Sequence, residues 1–131
     1  MPPRSQASCV PVLVKELAMP ELAPHHLQLP DRYRRMLSEV LRRHAPHAEL
    51  WAYGSRVSGT GHDASDLDLV VRNPADLLAE TAGLSALKEA LIESNLPIVV
   101  EVADWARIPE SFRREIEREH VVVQSGVHEA A

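Results

Sequence analysis

The residues with chemistry to offer sit in one short stretch. Residues 54–71 read GSRVSGTGHDASDLDLVV, in which Gly54-Ser55 is followed, after ten residues, by Asp66-Leu67-Asp68. Side chains alternate along a strand, so Asp66 and Asp68 share one face, while Leu67, Leu69 and Val71 share the other. Two carboxylates side by side repel each other and raise each other's pKa unless a cation sits between them. Hard oxygen ligands with room for water and phosphate suit Mg²⁺. The glycine-serine turn lies where a strand feeds a short helix, and free backbone N–H groups with a hydroxyl there suit a phosphate. A phosphate cradle beside a magnesium-binding acid pair is the equipment of phosphoryl or nucleotidyl transfer.

This stretch resembles the nucleotidyltransferase superfamily shared with DNA polymerase beta, and in particular its minimal members, the MNT proteins. The family pattern is G-S, ten residues, D-x-D, then a third acid on a later strand. Gly54, Ser55, Asp66 and Asp68 match it. GSRVSG and SDLDLVV also look like MNT proteins, and VVEVADWARIPESFRREIEREHV is similar to the family's third strand and closing helix. The resemblance covers residues 31–123 and implies a small mixed α/β (α+β) sheet with helices packed on one face, the polymerase beta-like core.

The third acid aligns with Glu101, where the family usually carries Asp. Parity supports the alignment. Val99, Glu101 and Ala103 share a face, while Ile98, Val100, Val102 and Asp104 share the other. The second set is apolar and should face the helices, with Asp104 at the strand's exit and Glu101 toward the metal. The competing reading of Glu101 is a solvated acid on an edge strand.

The resemblance implies an enzyme in which an acceptor hydroxyl attacks the α-phosphate of ATP and expels pyrophosphate. Asp66, Asp68 and Glu101 would hold Mg²⁺, and Glu101 would help the acceptor. Ser55 and the backbone after Gly54 would hold the outer phosphates. Arg56 either neutralises triphosphate charge or pairs with an acid of the site. MNT proteins of this size typically form two-gene toxin–antitoxin pairs with a helical HEPN ribonuclease. There the MNT protein is the antitoxin and transfers AMP to a toxin tyrosine. Two alternatives stand beside this: an antitoxin that neutralises its HEPN toxin by contact alone, and a small-molecule nucleotidyltransferase.

Other polar and aromatic residues read more plainly. Ser65 starts the strand or orients Asp66. His62 and Asp63 belong to a loop over the site, and His25, His26, His44 and His47 form no metal set. Trp51 and Tyr53 read as core or interface anchors.

These residues need elements to position them. Helical spacing of Tyr33, Met36, Leu37, Val40, Leu41 and His44 predicts a helix capped by Asp31 and ended by Pro46. Strands are predicted over 48–53, 67–71 and 97–103, with a short one at 121–123. Asn73-Pro74 is read as opening a short helix to Thr81. Leu84, Leu87, Ala90 and Leu91 predict a helix to Asn95, and Pro109 starts a last helix to Glu119. Six of the ten prolines fall within residues 1–30, which read as a loose extension. Val10 to Leu17 is either strand or helix, and Met19 offers a second start that would leave residues 1–18 upstream. The expected division is an extension at 1–30, the catalytic domain at 31–124 and a tail at 125–131.

The 131 residues suffice for one domain with its own core. Fourteen Lys and Arg against nineteen Asp and Glu leave a net charge of −5, which disfavours direct nucleic-acid binding. With one cysteine, Cys9, no disulfide forms within the chain, which fits a cytoplasmic protein. No apolar run reaches membrane-spanning length.

Overall fold

In the computed structural model, residues 21–61 and 65–125 are described. Residues 10–17, His62, Asp63, the second start at Met19 and the tail beyond Ser125 lie outside them. The elements are β1 (Glu21–Leu22), a 3₁₀ turn (Pro24–His26), α1 (Asp31–His44), β2 (Glu49–Tyr53), α2 (Ser55–Ser58), β3 (Leu67–Arg72), α3 (Leu84–Glu93), β4 (Val100–Asp104), a second 3₁₀ turn (Trp105–Arg107), α4 (Glu110–Arg118) and β5 (His120–Gln124).

One mixed sheet runs in the order β1-β5-β2-β3-β4. β2 lies antiparallel to both β3 and β5, while β3 runs parallel to β4 and β1 to β5. Alternation divides the sheet into two faces. Leu50, Ala52, Leu67, Leu69, Val71, Val102 and Val121 point to the main core, where they meet Leu37 and Leu41 of α1 and Leu87 and Leu91 of α3. Burying these side chains is the main favourable term of the fold, at about 1.5–3 kcal/mol each.

The mixed sheet with helices packed on one face is as expected, and the opposite face carries a second, smaller cluster. Trp51 and Val70 pack there against Trp105 and Ile116, with Tyr53 and Phe112 beside them. α4 therefore lies on the face that carries the acids. Its apolar residues Phe112 and Ile116, four apart, form one helical stripe that only this second cluster can bury.

Three local readings are revised. Pro30, not Asp31, is the N-cap of α1, and no side chain caps it. Residues 73–81 form turns rather than a helix. Asn73 Oδ1 accepts from Ala75 N–H at 3.0 Å and Asp76 Oδ1 accepts from Leu78 N–H at 3.1 Å, local bonds that compete with helical ones. Residues 21–30 are packed rather than loose: β1 joins the sheet edge, and Leu27 and Leu29 are buried in the main core. Arg34 holds this segment by donating to the carbonyls of Leu29, Pro24 and Leu27.

Candidate active site

Asp68 is the residue around which the site forms. It stands on β3 on the face opposite Leu67 and Leu69, as alternation requires. Its cross-strand partner on β2 is Tyr53, and its partner on β4 is Glu101. Tyr53, Asp68 and Glu101 thus form one row across three strands. Opposed residues in neighbouring strands hold their Cβ atoms about 4.5–5.5 Å apart. Burial raises the pKa of the Asp68 carboxyl, and the charges of Asp66 and then Glu101 add to the rise. The Tyr53 phenol is raised by burial and then by the charges of Asp68 and Glu101. Asp68 thus carries the cost of burial and of like charge beside it, which a bound cation would relieve.

Asp66 lies just before β3 and is exposed, as is Glu101. The Leu67 N–H donates to Val99 O at 2.9 Å, tying the two strand entrances together. The three acids supply only hard oxygen, a donor set that fits Mg²⁺. Among the described residues no three His, Cys, Asp or Glu side chains are already gathered as a metal centre. An ion would have to draw the exposed Asp66 and Glu101 toward Asp68.

Gly54 joins β2 to α2 and has φ 84° and ψ −158°, a conformation essentially reserved for glycine. A Cβ at this position would stand 2.5 Å from Asp68 Oδ2. The glycine thus makes room for the carboxylate itself. Its carbonyl accepts from the N–H groups of Val57 and Ser58, closing the single turn of α2 that begins with Ser55. The first N–H groups of such a turn have no acceptor within it. Gly61 closes over that turn: a Cβ there would lie 3.0 Å from Ser55 O.

Arg56 is turned into the protein. It is 4% exposed. Its Nε donates to Ser65 O at 2.9 Å, and its Nη1 donates to Gln28 O at 2.6 Å. The Gln28 N–H in turn donates to Arg56 O. The guanidinium ties the N-terminal segment to the loop before β3. Ser65 likewise precedes the strand and offers its carbonyl to this tie.

Asp104 sits buried at the exit of β4, as parity indicates, accepting from Ala106 N–H and Thr81 N–H. Trp51 proves to be a core residue, stacked on His120 at 3.8 Å. Arg72 lies over the Trp51 ring at 3.9 Å and over the Trp105 ring at 4.6 Å, and it is bound to Glu49 at 2.6 Å. Tyr53 is the site residue that sequence reasoning missed. Its position immediately before Gly54, at the mouth of a strand, was the available signal.

The arrangement offers a carboxylate set on an open sheet face beside a glycine turn. Residues 14–115 match the protein family described as poly(A) RNA polymerase, mitochondrial-like, central palm domain. A curated protein of Haemophilus influenzae, "Probable protein adenylyltransferase MntA", is 41% identical over 91 residues, covering 68% of this chain and 76% of that protein. A crystal structure of a toxin–antitoxin with AMP-PNP shares the fold, with a TM-score of 0.56 and 20% identity over 74% of this chain and 76% of that one.

Proposed function

Because the chain belongs to the minimal nucleotidyltransferase family, we propose that it transfers AMP from ATP to a tyrosine of a partner HEPN ribonuclease toxin and acts as that toxin's antitoxin. The name of the Haemophilus influenzae relative supports AMP as the group moved and a protein as its acceptor. The observation that carries a catalytic reading over neutralisation by contact alone is the Asp68–Glu101 register. It sets Glu101 beside Asp68 on one sheet face, which supports the two acids serving one site.

Asp66, Asp68 and Glu101 would hold Mg²⁺, which when bound supplies neutralisation of charge at the α-phosphate. The backbone after Gly54 and the Ser55 hydroxyl would bind the outer phosphates. The tyrosine hydroxyl oxygen of the toxin bonds to the α-phosphorus, the bond to the β-phosphate bridging oxygen breaks, and pyrophosphate leaves. The hydroxyl proton passes to the Glu101 carboxylate. Among the described residues no helix is long and apolar enough to cross a membrane. A cytoplasmic setting fits a toxin that cleaves RNA.

The test is intact-mass spectrometry of the toxin after incubation with this protein, ATP and Mg²⁺, paired with growth rescue. The toxin should gain the mass of one or more AMP groups, and Asp66→Asn should abolish that gain and the rescue together. An unmodified toxin with full rescue by Asp66→Asn would leave sequestration as the function.

A further inference from the structure

The row Tyr53–Asp68–Glu101 ends at β4, and no described strand pairs with the outer edge of β4. Leu67 N–H donates to Val99 O, and Leu67 is the register partner of Val100. In a parallel ladder this turns the backbone of residues 99, 101 and 103 toward β3. The N–H and C=O groups of Val100 and Val102 therefore point outward, ready to pair with another strand.

The side chains beside this edge are apolar. Val99, on the Glu101 face, is 58% exposed, and Ile92 of α3 is 82% exposed. A groove of about 410 Å³ runs along the first half of the edge between Leu91, Ile92, Leu96 and Val99. Two of the four large hydrophobic side chains exposed among the described residues thus flank the strand that carries Glu101. Ala103, the other neighbour of Glu101 on the same face, is half-buried and packs against the second cluster.

We propose that the outer edge of β4 takes up an extended segment of the acceptor protein as a sixth strand, with its acceptor tyrosine in the open fourth place of the row, beside Glu101. This rests on the AMP-transfer reading and names how that reaction's macromolecular substrate is held. Main-chain bonds to Val100 and Val102 give affinity, and alternate side chains give selection. The tyrosine, opposed to Glu101, lies within the cross-strand distance of its carboxylate and one strand from Asp68. Positions two residues to either side share its face, one meeting Val99 and the other Ala103. An apolar residue suits the first, and a small one suits the second, where Ala103 packs against the second cluster. The intervening residues lie over the groove beside Ile92.

The test measures AMP transfer from α-labelled ATP with Mg²⁺ to the toxin and to two synthetic peptides. One alternates valine and threonine around a central tyrosine; the other is an alanine-rich helix of equal length with a central tyrosine. The wild type labels the toxin and the strand peptide, and leaves the helical peptide unlabelled. Val100→Pro removes an outward N–H that β3 does not use, a place where an edge strand tolerates proline. It should keep the Mg²⁺–ATP thermal shift and lose labelling of toxin and strand peptide by about tenfold. If that variant fails to fold, as loss of its cooperative melting transition would reveal, the exposed-site change Val99→Lys carries the same expectation. Labelling at the wild-type rate by the folded variant overturns the docking alone, as does a helical peptide labelled as well as the strand. A wild-type dimer that Val100→Pro turns into a monomer would assign the edge to a second copy instead. A wild type that binds ATP but labels neither toxin nor peptide overturns the AMP-transfer reading, and the docking inference falls with it.

Discussion

The Asp68 carboxylate occupies the space that a side chain on Gly54 would fill: Oδ2 lies 2.5 Å from the place of a Cβ there. The Gly54 turn and the Asp68 carboxylate are therefore one packed unit. Gly54→Ala must displace Asp68 and also strain a backbone at φ 84°. Such strain costs about 1–3 kcal/mol. The expected result is a lower urea midpoint together with loss of the Mg²⁺–ATP thermal shift. Ser55→Ala, which removes one hydroxyl, should weaken nucleotide binding less and leave the midpoint in place.

Removing the acids should do the opposite to stability. Burial and the charges of Asp66 and Glu101 raise the Asp68 pKa above 3.8. A raised carboxyl holds its proton more tightly when folded, so its favourable contribution exists below 3.8 and is lost as pH rises through the folded value. At neutral pH the metal-free protein carries the penalty of charge repulsion. Asp66→Asn with Asp68→Asn should melt at or above the wild-type temperature at neutral pH. The difference should shrink as pH falls through the carboxylate range, and Mg²⁺–ATP should shift the wild type alone. A double variant that keeps the shift would refute the metal assignment.

His120 predicts a second pH dependence of opposite sign. It is 1% exposed, stacked on Trp51, with Nδ1 3.1 Å from Ile116 O. Burial lowers its pKa below 6.5; bonds to the Ile116 and Glu117 backbone and the charge of Glu21 oppose the shift, while Arg72 adds to it. The unfolded chain takes up a proton below 6.5 that the folded chain refuses, so stability is full above 6.5 and declines as pH falls from there to the lowered value. Urea midpoints recorded across that interval should fall for the wild type. His120→Gln should lose the pH-dependent part of the decline.

Arg72 should matter to folding rather than to chemistry. It is 8% exposed, packed against two indoles and bonded to Glu49, at the end of β3 remote from Asp68. Glu49→Ala leaves a buried cation without its partner, a loss of about 3–5 kcal/mol by comparison with other broken buried pairs. Arg72→Met with Glu49→Gln should cost less, since no charge is stranded. Both variants, held well below their melting temperatures, should bind Mg²⁺–ATP as the wild type does. Calorimetry gives both quantities.

Which faces the acids of the candidate site take was legible in the chain because it is written in local patterns. Alternation put Asp66 and Asp68 opposite Leu67 and Leu69, and the same parity put Glu101 opposite Val100 and Val102. The Gly54-Ser55 spacing marked where the acids would be met. These are period-two regularities, and they hold whatever the rest of the chain does. What the tertiary structure alone decided is which strands are neighbours and in which register. The registers Tyr53↔Asp68 and Asp68↔Glu101 follow from burying two apolar faces at once, with Leu69 and Val102 on one side and Val70 and Trp105 on the other. A slip of one residue would turn every one of those side chains to the wrong face, so the global core selects the pairing and no single strand encodes it. The same long-range packing turned Arg56 inward to carbonyls 9 and 28 residues away in the chain. It also drew residues 21–30 into the core and placed α4 on the face of the acids.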